Sequence, residues 1–231
     1  MCSRYSLTTP AEAVRAFFRA ERGHDFPPRY NIAPTQPVSI VRIGADGRRE
    51  LVLVRWGLIP GWVEDPGSFA TLINARAETV LDKPSFKNAM RHRRCIVPAD
   101  AFYEWTGKPG ARRPHIASRA DGESLLGLAG LWEHWMGADG SEIETMAILT
   151  VPANAALLTI HDRMPAILPE AAFDGWLDVR GIRDREAKTL LQPTPDDWLR
   201  LVELDPAINS SRLEGKALQK PLPVHFGTKS V

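Results

Sequence analysis

The sequence predicts an α+β protein of a single domain, residues 1–231, with a mainly antiparallel β-rich core and peripheral helices. Three observations predict it. β-branched alternation recurs in pairs around glycine-containing turns, as in "VSIVRI", "GADG" and "ELVLVRW". Helical spacing of apolar residues is confined to short stretches set between such pairs. No run of alternating strands and helices occurs, which disfavours a doubly wound parallel sheet. With 44% hydrophobic and 25% charged content, the chain can bury a large core.

In chain order, "TPAEAVRAFFRAE" reads as the first helix. Thr9 stands as N-cap, Pro10 as first helical residue and Glu12 as the far side of a capping box. "GHDFPPRYNIAPTQPV" is proline-rich and aperiodic, and reads as a long ordered loop. The hairpin quoted above follows, then the loop "WGLIPGW" with its two tryptophans. "FYEW" and "HIAS" read as strands flanking the turn "GKPGARR". "SLLGLAGLWEHW" and "ETMAILTVPA" are two more, joined through "GADGS". "NAALLTIHD" is a short helix capped by Asn154. "PEAAFDGWL", with Pro169 first, and "DREAKTLL" are further helices, and "LRLVELD" is a late strand.

Net charge is only +1, so there is no global footprint of a nucleic-acid binder. Positive charge for such a partner has to be local, and the basic runs are "RHRR" (91–94) and "GKPGARRP" (107–114). Two cysteines, Cys2 and Cys95, do not make a disulfide framework, and Cys95 reads as a buried structural thiol. The text opens on no basic segment followed by an apolar run, and no apolar stretch nears the ~20 residues of a membrane helix. A cytoplasmic protein without a membrane partner is expected. Phosphate loops, HExxH and paired CxxC are absent, and six histidines lack ligand spacing, so no metal or cofactor is expected.

Chemistry therefore rests on polar residues set in apolar text. Cys2 stands behind the initiator Met1, and removal of Met1 would give it an α-amine two bonds from its thiol. Its structural alternative is a frayed terminus. Asn74 and Arg76, in "LINARAET", face one side if that segment is a strand. Glu104, between Tyr103 and Trp105, is either a paired core charge or an acid/base whose pKa burial raises. His161, after Ile160, is either a satisfied structural histidine or a proton carrier. Together Cys2, Glu104 and His161 supply one nucleophile and two proton carriers.

The strings "MCSRY", "RYNIAPTQPV", "WGLIPGW", "INARAET", "CIVPADAFYEW" and "LLTIHDRMPAIL" stand in order from residue 2 to about 170. In them the chain resembles the SOS-response-associated peptidase (SRAP) family. The resemblance implies an α+β, barrel-like β-rich core and binding of abasic sites in single-stranded DNA. It also implies a covalent thiazolidine crosslink through Cys2 once Met1 is gone; with such a substrate a monomer is the simplest expectation, on the nucleoid when DNA-bound. By the same resemblance Cys2 is the nucleophile, Asn74 positions it, and Glu104 and His161 are the acid/base pair. Arg4, Asn31, Trp62, Arg76, Trp105 and Thr150 fall on DNA-contacting positions. Two features depart from the family pattern: Ser3 stands where glycine is usual, and the late text reads "AINSSRLEGKAL", with Asn209 assigned no role.

The chemistry suits those residue types. An α-amine has a pKa near ~7.7–8, far below the ~10.4 of lysine, so a larger share is neutral and able to attack an aldehyde. The thiol on the same residue then closes a five-membered ring intramolecularly. Histidine suits the proton transfers of ring opening and dehydration. The rival reading is an N-terminal-nucleophile peptidase or amidase acting on other proteins, with Cys2 attacking a carbonyl and His161 as base.

Overall fold

A computed structural model describes residues 2–108, 110–122 and 125–222. Met1, whose removal the expected chemistry requires, and the last nine residues of the predicted domain lie outside the described residues.

The α+β class holds, and its centre is a closed barrel. β4 (Pro37–Ile43) and β5 (Arg49–Trp56) form the expected hairpin, in register from Pro37↔Arg55 to Ile43↔Arg49. β4 meets β7 (Arg94–Ala99) at Val41↔Ile96, and β7 runs antiparallel to β10 (Leu126–Met136). β10 pairs along its length with β11 (Glu142–Pro152), and β11 closes the ring by a parallel contact with β5, Thr145↔Arg55 and Met146↔Trp56. Inside, Gly130 of β10 faces Cys95 of β7. A Cβ there would lie 2.8 Å from the Cys95 sulfur, so the wall admits only glycine. Cys95 is a buried free thiol, as expected.

Shorter strands extend the barrel sheet. β2 (Arg22–Gly23) adds to β5, β6 (Asn74–Arg76) runs parallel to β11, β12 (Arg163–Pro165) pairs with β11, and β13 (Ile167–Leu168) pairs with β10. A second, five-stranded sheet has the order β14 (Leu199–Glu203), β9 (Arg113–Arg119), β8 (Ala101–Thr106), β1 (Tyr5–Leu7), β3 (Arg29–Ile32). The amino-terminal strand is thus interior to a sheet. β1 pairs with β8 at Tyr5↔Phe102 and with β3 at Tyr5↔Ile32. Tyr5 packs edge-on to the barrel's Trp56, centroids 5.4 Å apart. A terminus tied into a sheet does not fray.

The helices α1 (Ala11–Phe18), α2 (Pro84–His92), α3 (Ala155–Leu158), α4 (Phe173–Leu177) and α5 (Asp184–Lys188) are peripheral. Asn154 caps α3 as expected, accepting from the Leu157 amide. Pro169 precedes a short 3₁₀ turn, Glu170–Ala172, rather than opening α4 directly.

Two expectations are corrected and one element is added. Pro10, not Thr9, occupies the cap of α1. The Thr9 hydroxyl donates instead to Asp100 at 2.6 Å, beside the Thr8 hydroxyl at 2.8 Å. A charged carboxylate is the stronger acceptor, so a long-range contact displaces the local cap. The aperiodic loop contains a strand, β3, created by pairing with β1 rather than by its own pattern. Helix α2 is an addition to the expected elements, although its buried Phe86, Ala89 and Met90 have helical spacing.

The run "RHRR" is structural. Arg91 pairs with Asp184 and Arg93 with Glu133, both at 2.9 Å. Arg94 is 1% exposed and donates to four carbonyls, of Trp176 (2.6 Å), Met90 (3.1 Å), Asp178 (2.7 Å) and Ile182 (2.9 Å). It stitches the loop around α4 to β7.

Candidate active site

The amino terminus, β6, β8 and the segment after α3 meet at one end of the barrel. The β1–β8 pairing continues upstream: the Tyr103 amide donates to the Arg4 carbonyl at 3.0 Å. That extension carries Cys2 into the core, where it is 0% exposed. Asn74, at the start of β6, donates its side-chain amide to the Cys2 carbonyl at 2.8 Å. The other end of that amide, Oδ1, is buried with no hydrogen-bond partner among the described residues.

Glu104 follows from the alternation of β8. Phe102 and Glu104 share a face toward the barrel, while Tyr103 and Trp105 turn toward Leu204, Ile208 and Leu218. Glu104 is 3% exposed. Burial pushes its carboxyl above the usual range, against the downward pull of the amino-terminal positive charge and of His161. Burial and the charge of Glu104 together push the Cys2 thiol well up, so it stays protonated at neutral pH. Glu104 is therefore within electrostatic reach of both Cys2 and His161.

His161 ends the turn of α3, its amide donating to the Leu157 carbonyl at 2.9 Å. Its Nδ1 lies 2.9 Å from the Arg163 amide and 2.9 Å from the Asp162 carboxylate. In the neutral ring Nδ1 accepts from the Arg163 amide, which places the ring proton on Nε2. In the charged ring Nδ1–H is aimed at Asp162. Nδ1 thus anchors the ring in both states.

The residues expected to contact DNA differ in their surroundings. Arg4 donates to Asn31 Oδ1 at 2.6 Å and to the Ile208 carbonyl at 3.3 Å, with its guanidinium 5.8 Å from the Trp105 ring centre. Asn31 is fully buried and gives its amide to the carbonyls of Ser210 and Leu213, so it acts here by holding Arg4. Thr150 is likewise buried, in β11 beside Arg76. Arg76 is exposed. Trp62 is 59% exposed and sits edge-on to Phe69 in the loop that joins the barrel hairpin to β6.

Sequence reading missed Arg163. Its guanidinium donates to the Thr150 carbonyl at 2.7 Å and hydroxyl at 3.2 Å, and pairs with both oxygens of Glu78. That hydrogen bond, above all, holds Glu78 below the ordinary carboxylate range. Its signal was its place two residues after His161. Among the described residues no group of three His, Cys, Asp or Glu side chains is set to hold a metal ion. No helix among them is long and apolar enough to cross a membrane.

The chain matches relatives over nearly all of its length. It is 33% identical to the abasic site processing protein YoqW of Bacillus subtilis over 216 residues, 92% of this chain and 96% of that protein. It is 32% identical to the mouse abasic site processing protein HMCES, over 92% of this chain and 73% of that one. A crystal structure of a Bacteroides thetaiotaomicron protein superposes with a TM-score of 0.85 at 25% identity, covering 96% of this chain and all of the other. Residues 1–211 match the family described as SOS response associated peptidase (SRAP). With that match over residues 1–211 and relatives of 33% identity spanning nearly all of its length, the chain belongs to the SRAP family.

Proposed function

We propose that this chain captures abasic sites in single-stranded DNA through a covalent bond to Cys2 exposed by removal of Met1, and so shields the lesion. The observation that carries the reading is the placement of Cys2: an amino-terminal residue buried in a sheet, held by Asn74 and within the field of Glu104. The names of the relatives, abasic site processing proteins, support the substrate.

The chemistry proceeds amine first. The neutral α-amine of Cys2 adds to the open-chain aldehyde, and the adduct loses water to give an imine. The thiol sulfur then bonds to the imine carbon and its proton passes to nitrogen, closing a thiazolidine with net release of one water. A protonated thiol suits this order, because the sulfur reacts only after the imine exists. In the peptidase alternative the attacking form is instead a thiolate, which His161 would have to generate.

Glu104, pushed toward the protonated form, can donate to the departing hydroxyl and afterwards accept from the amine. His161 carries a proton on Nε2 for opening the sugar ring. Asn74 Oδ1, buried and unsatisfied in this structure, accepts from the amine or a sugar hydroxyl. Arg4 and Arg76 contribute phosphate contacts. Trp62 and Trp105 offer faces for neighbouring bases, worth about 1–3 kcal/mol per stacked base. The peptidase in the family description corresponds, on this reading, to removal of Met1 from the chain itself.

The test is a denaturing gel of the protein with a single-stranded oligonucleotide carrying one abasic site. A retarded, denaturation-resistant band is expected, absent with intact DNA and with Cys2→Ala, together with an intact mass lacking Met1. No band from protein with a free Cys2 amine would overturn the proposal.

A further inference from the structure

The second basic run, "GKPGARRP", takes no part in the chemistry above. It forms the turn between β8 and β9, whose backbone is shaped by two glycines at positive φ, Gly107 and Gly110, both +88°. The turn lines a cleft of about 660 Å³ together with Ser3, Arg4, Trp105 and Asn209. Among the described residues lining this cleft, three are arginines and none is a carboxylate. Ser3 is the direct neighbour of Cys2, so the cleft opens beside the reacting centre.

The three arginines have different fates. Arg4 is committed to Asn31 and the Ile208 carbonyl. Arg113 is gripped by both oxygens of Glu203, at 2.5 and 2.6 Å. The Arg112 side chain is exposed and has no hydrogen bond or ion pair to the described residues. Its backbone, by contrast, is fixed. Asn209 donates Nδ2 to the Arg112 carbonyl at 3.2 Å and accepts the Trp105 indole N–H on Oδ1 at 2.6 Å. One side chain thus ties the tryptophan and the arginine turn into a single wall, using both ends of its amide.

We propose that Arg112 is a further phosphate-binding residue for the nucleic-acid backbone, and that Asn209 is the positioning residue that sets Arg112 and Trp105 as one unit. The inference rests on the single-stranded DNA reading above and extends it to residues outside the reacting centre. The physical reason is a division of labour. An exposed guanidinium with no carboxylate to satisfy it keeps its charge for a phosphate. An indole pinned by its N–H cannot turn, so its ring stays in a fixed place relative to the Arg112 backbone. A phosphate and the base next to it would meet the guanidinium and the indole of this one wall together.

The experiment measures binding of an intact single-stranded oligonucleotide across a salt series, and single-turnover crosslinking at saturating abasic DNA. Variants are Arg112→Ala, Arg112→Lys, Asn209→Ala and the double alanine. Arg112→Ala is expected to weaken binding about 3–10-fold at low salt and to lower the magnitude of the log–log salt slope by about 0.7, the share of one single-strand phosphate. Arg112→Lys keeps the slope. The crosslinking rate at saturation stays at the wild-type value in both. Asn209→Ala weakens binding at least as much, and adding Arg112→Ala to it costs little more, because the two act through one unit.

An Arg112→Ala variant with wild-type affinity and slope overturns the phosphate site. Additive losses in the double variant overturn the positioning role of Asn209. Wild-type protein that neither binds nor crosslinks overturns the proposed function itself, an outcome distinct from wild-type protein that crosslinks while Arg112→Ala binds unchanged.

Discussion

The side-chain amide of Asn74 donates to the backbone carbonyl of Cys2 at 2.8 Å, across 72 residues of sequence. It joins the amino-terminal extension of one sheet to a short parallel strand of the barrel. β6 owes its place to β11, where Asn74 lies level with Ile148. The bond therefore reports that the two sheets have met, and it fixes the backbone from which both the amine and the thiol of Cys2 hang.

Removing that bond tests its role. Asn74→Ala should slow crosslink formation about 10–100-fold, the range seen when an orienting group next to a reacting centre is lost. The stability cost should be about 1 kcal/mol, that of one hydrogen bond. Gel kinetics with an abasic oligonucleotide and a thermal melt give the two numbers. A wild-type rate would leave Asn74 a purely structural tie.

His161 should separate chemistry from binding. His161→Ala is expected to slow crosslinking by about 100-fold or more, within the usual range for general acid–base groups, with affinity for intact single strands unchanged. Fluorescence anisotropy and single-turnover kinetics check this. A variant that binds poorly but reacts normally once bound would make His161 a positional residue.

Glu104 predicts a pH dependence of stability whose sign follows from its raised pKa. In the unfolded chain a glutamate titrates near ~4.3. Between that value and its higher folded value, the native state binds more protons than the unfolded state, so this group's contribution to stability falls as pH rises through the window. Glu104→Gln removes the dependence. Its melting temperature relative to wild type should therefore climb between pH 4 and pH 8. A difference that is flat, or falls, with pH would show that Glu104 is not held toward its protonated form.

Arg76 should contribute to affinity through charge alone. Arg76→Ala is expected to weaken binding to single strands and to lower the magnitude of the salt slope by about 0.7. An unchanged slope would remove Arg76 from the binding surface.

Arg94 is the contrasting case, an arginine whose work is architectural. Arg94→Ala removes four hydrogen bonds to carbonyls, two of them buried, and should cost about 3 kcal/mol or more. For a chain of this length that corresponds to a fall of roughly 6–12 °C in melting temperature. The folded fraction should retain its affinity for DNA. Loss of affinity out of proportion to loss of folded protein would return "RHRR" to the binding surface.

The sequence by itself determined the elements whose signal is local. The hairpin at 37–56, the pairs β8–β9 and β10–β11, the Asn154 cap and the late strand at 199–203 were all legible, because alternation and turn residues act over a few positions. Cys2, Asn74, Glu104 and His161 were legible as residue types out of place in apolar text and as motifs of a family. What only the tertiary structure decided is which distant groups share a hydrogen bond. Thr9 turned from its helix to Asp100, β3 became a strand because β1 lay beside it, and β11 closed the barrel against β5. Of two basic runs, one had Arg94 drawn into a ring of carbonyls and the other had Arg112 left facing a cleft. The reason is physical. A residue's pattern records whether it prefers burial or water, whereas the partner that satisfies a buried donor is chosen by chain closure over tens to hundreds of residues.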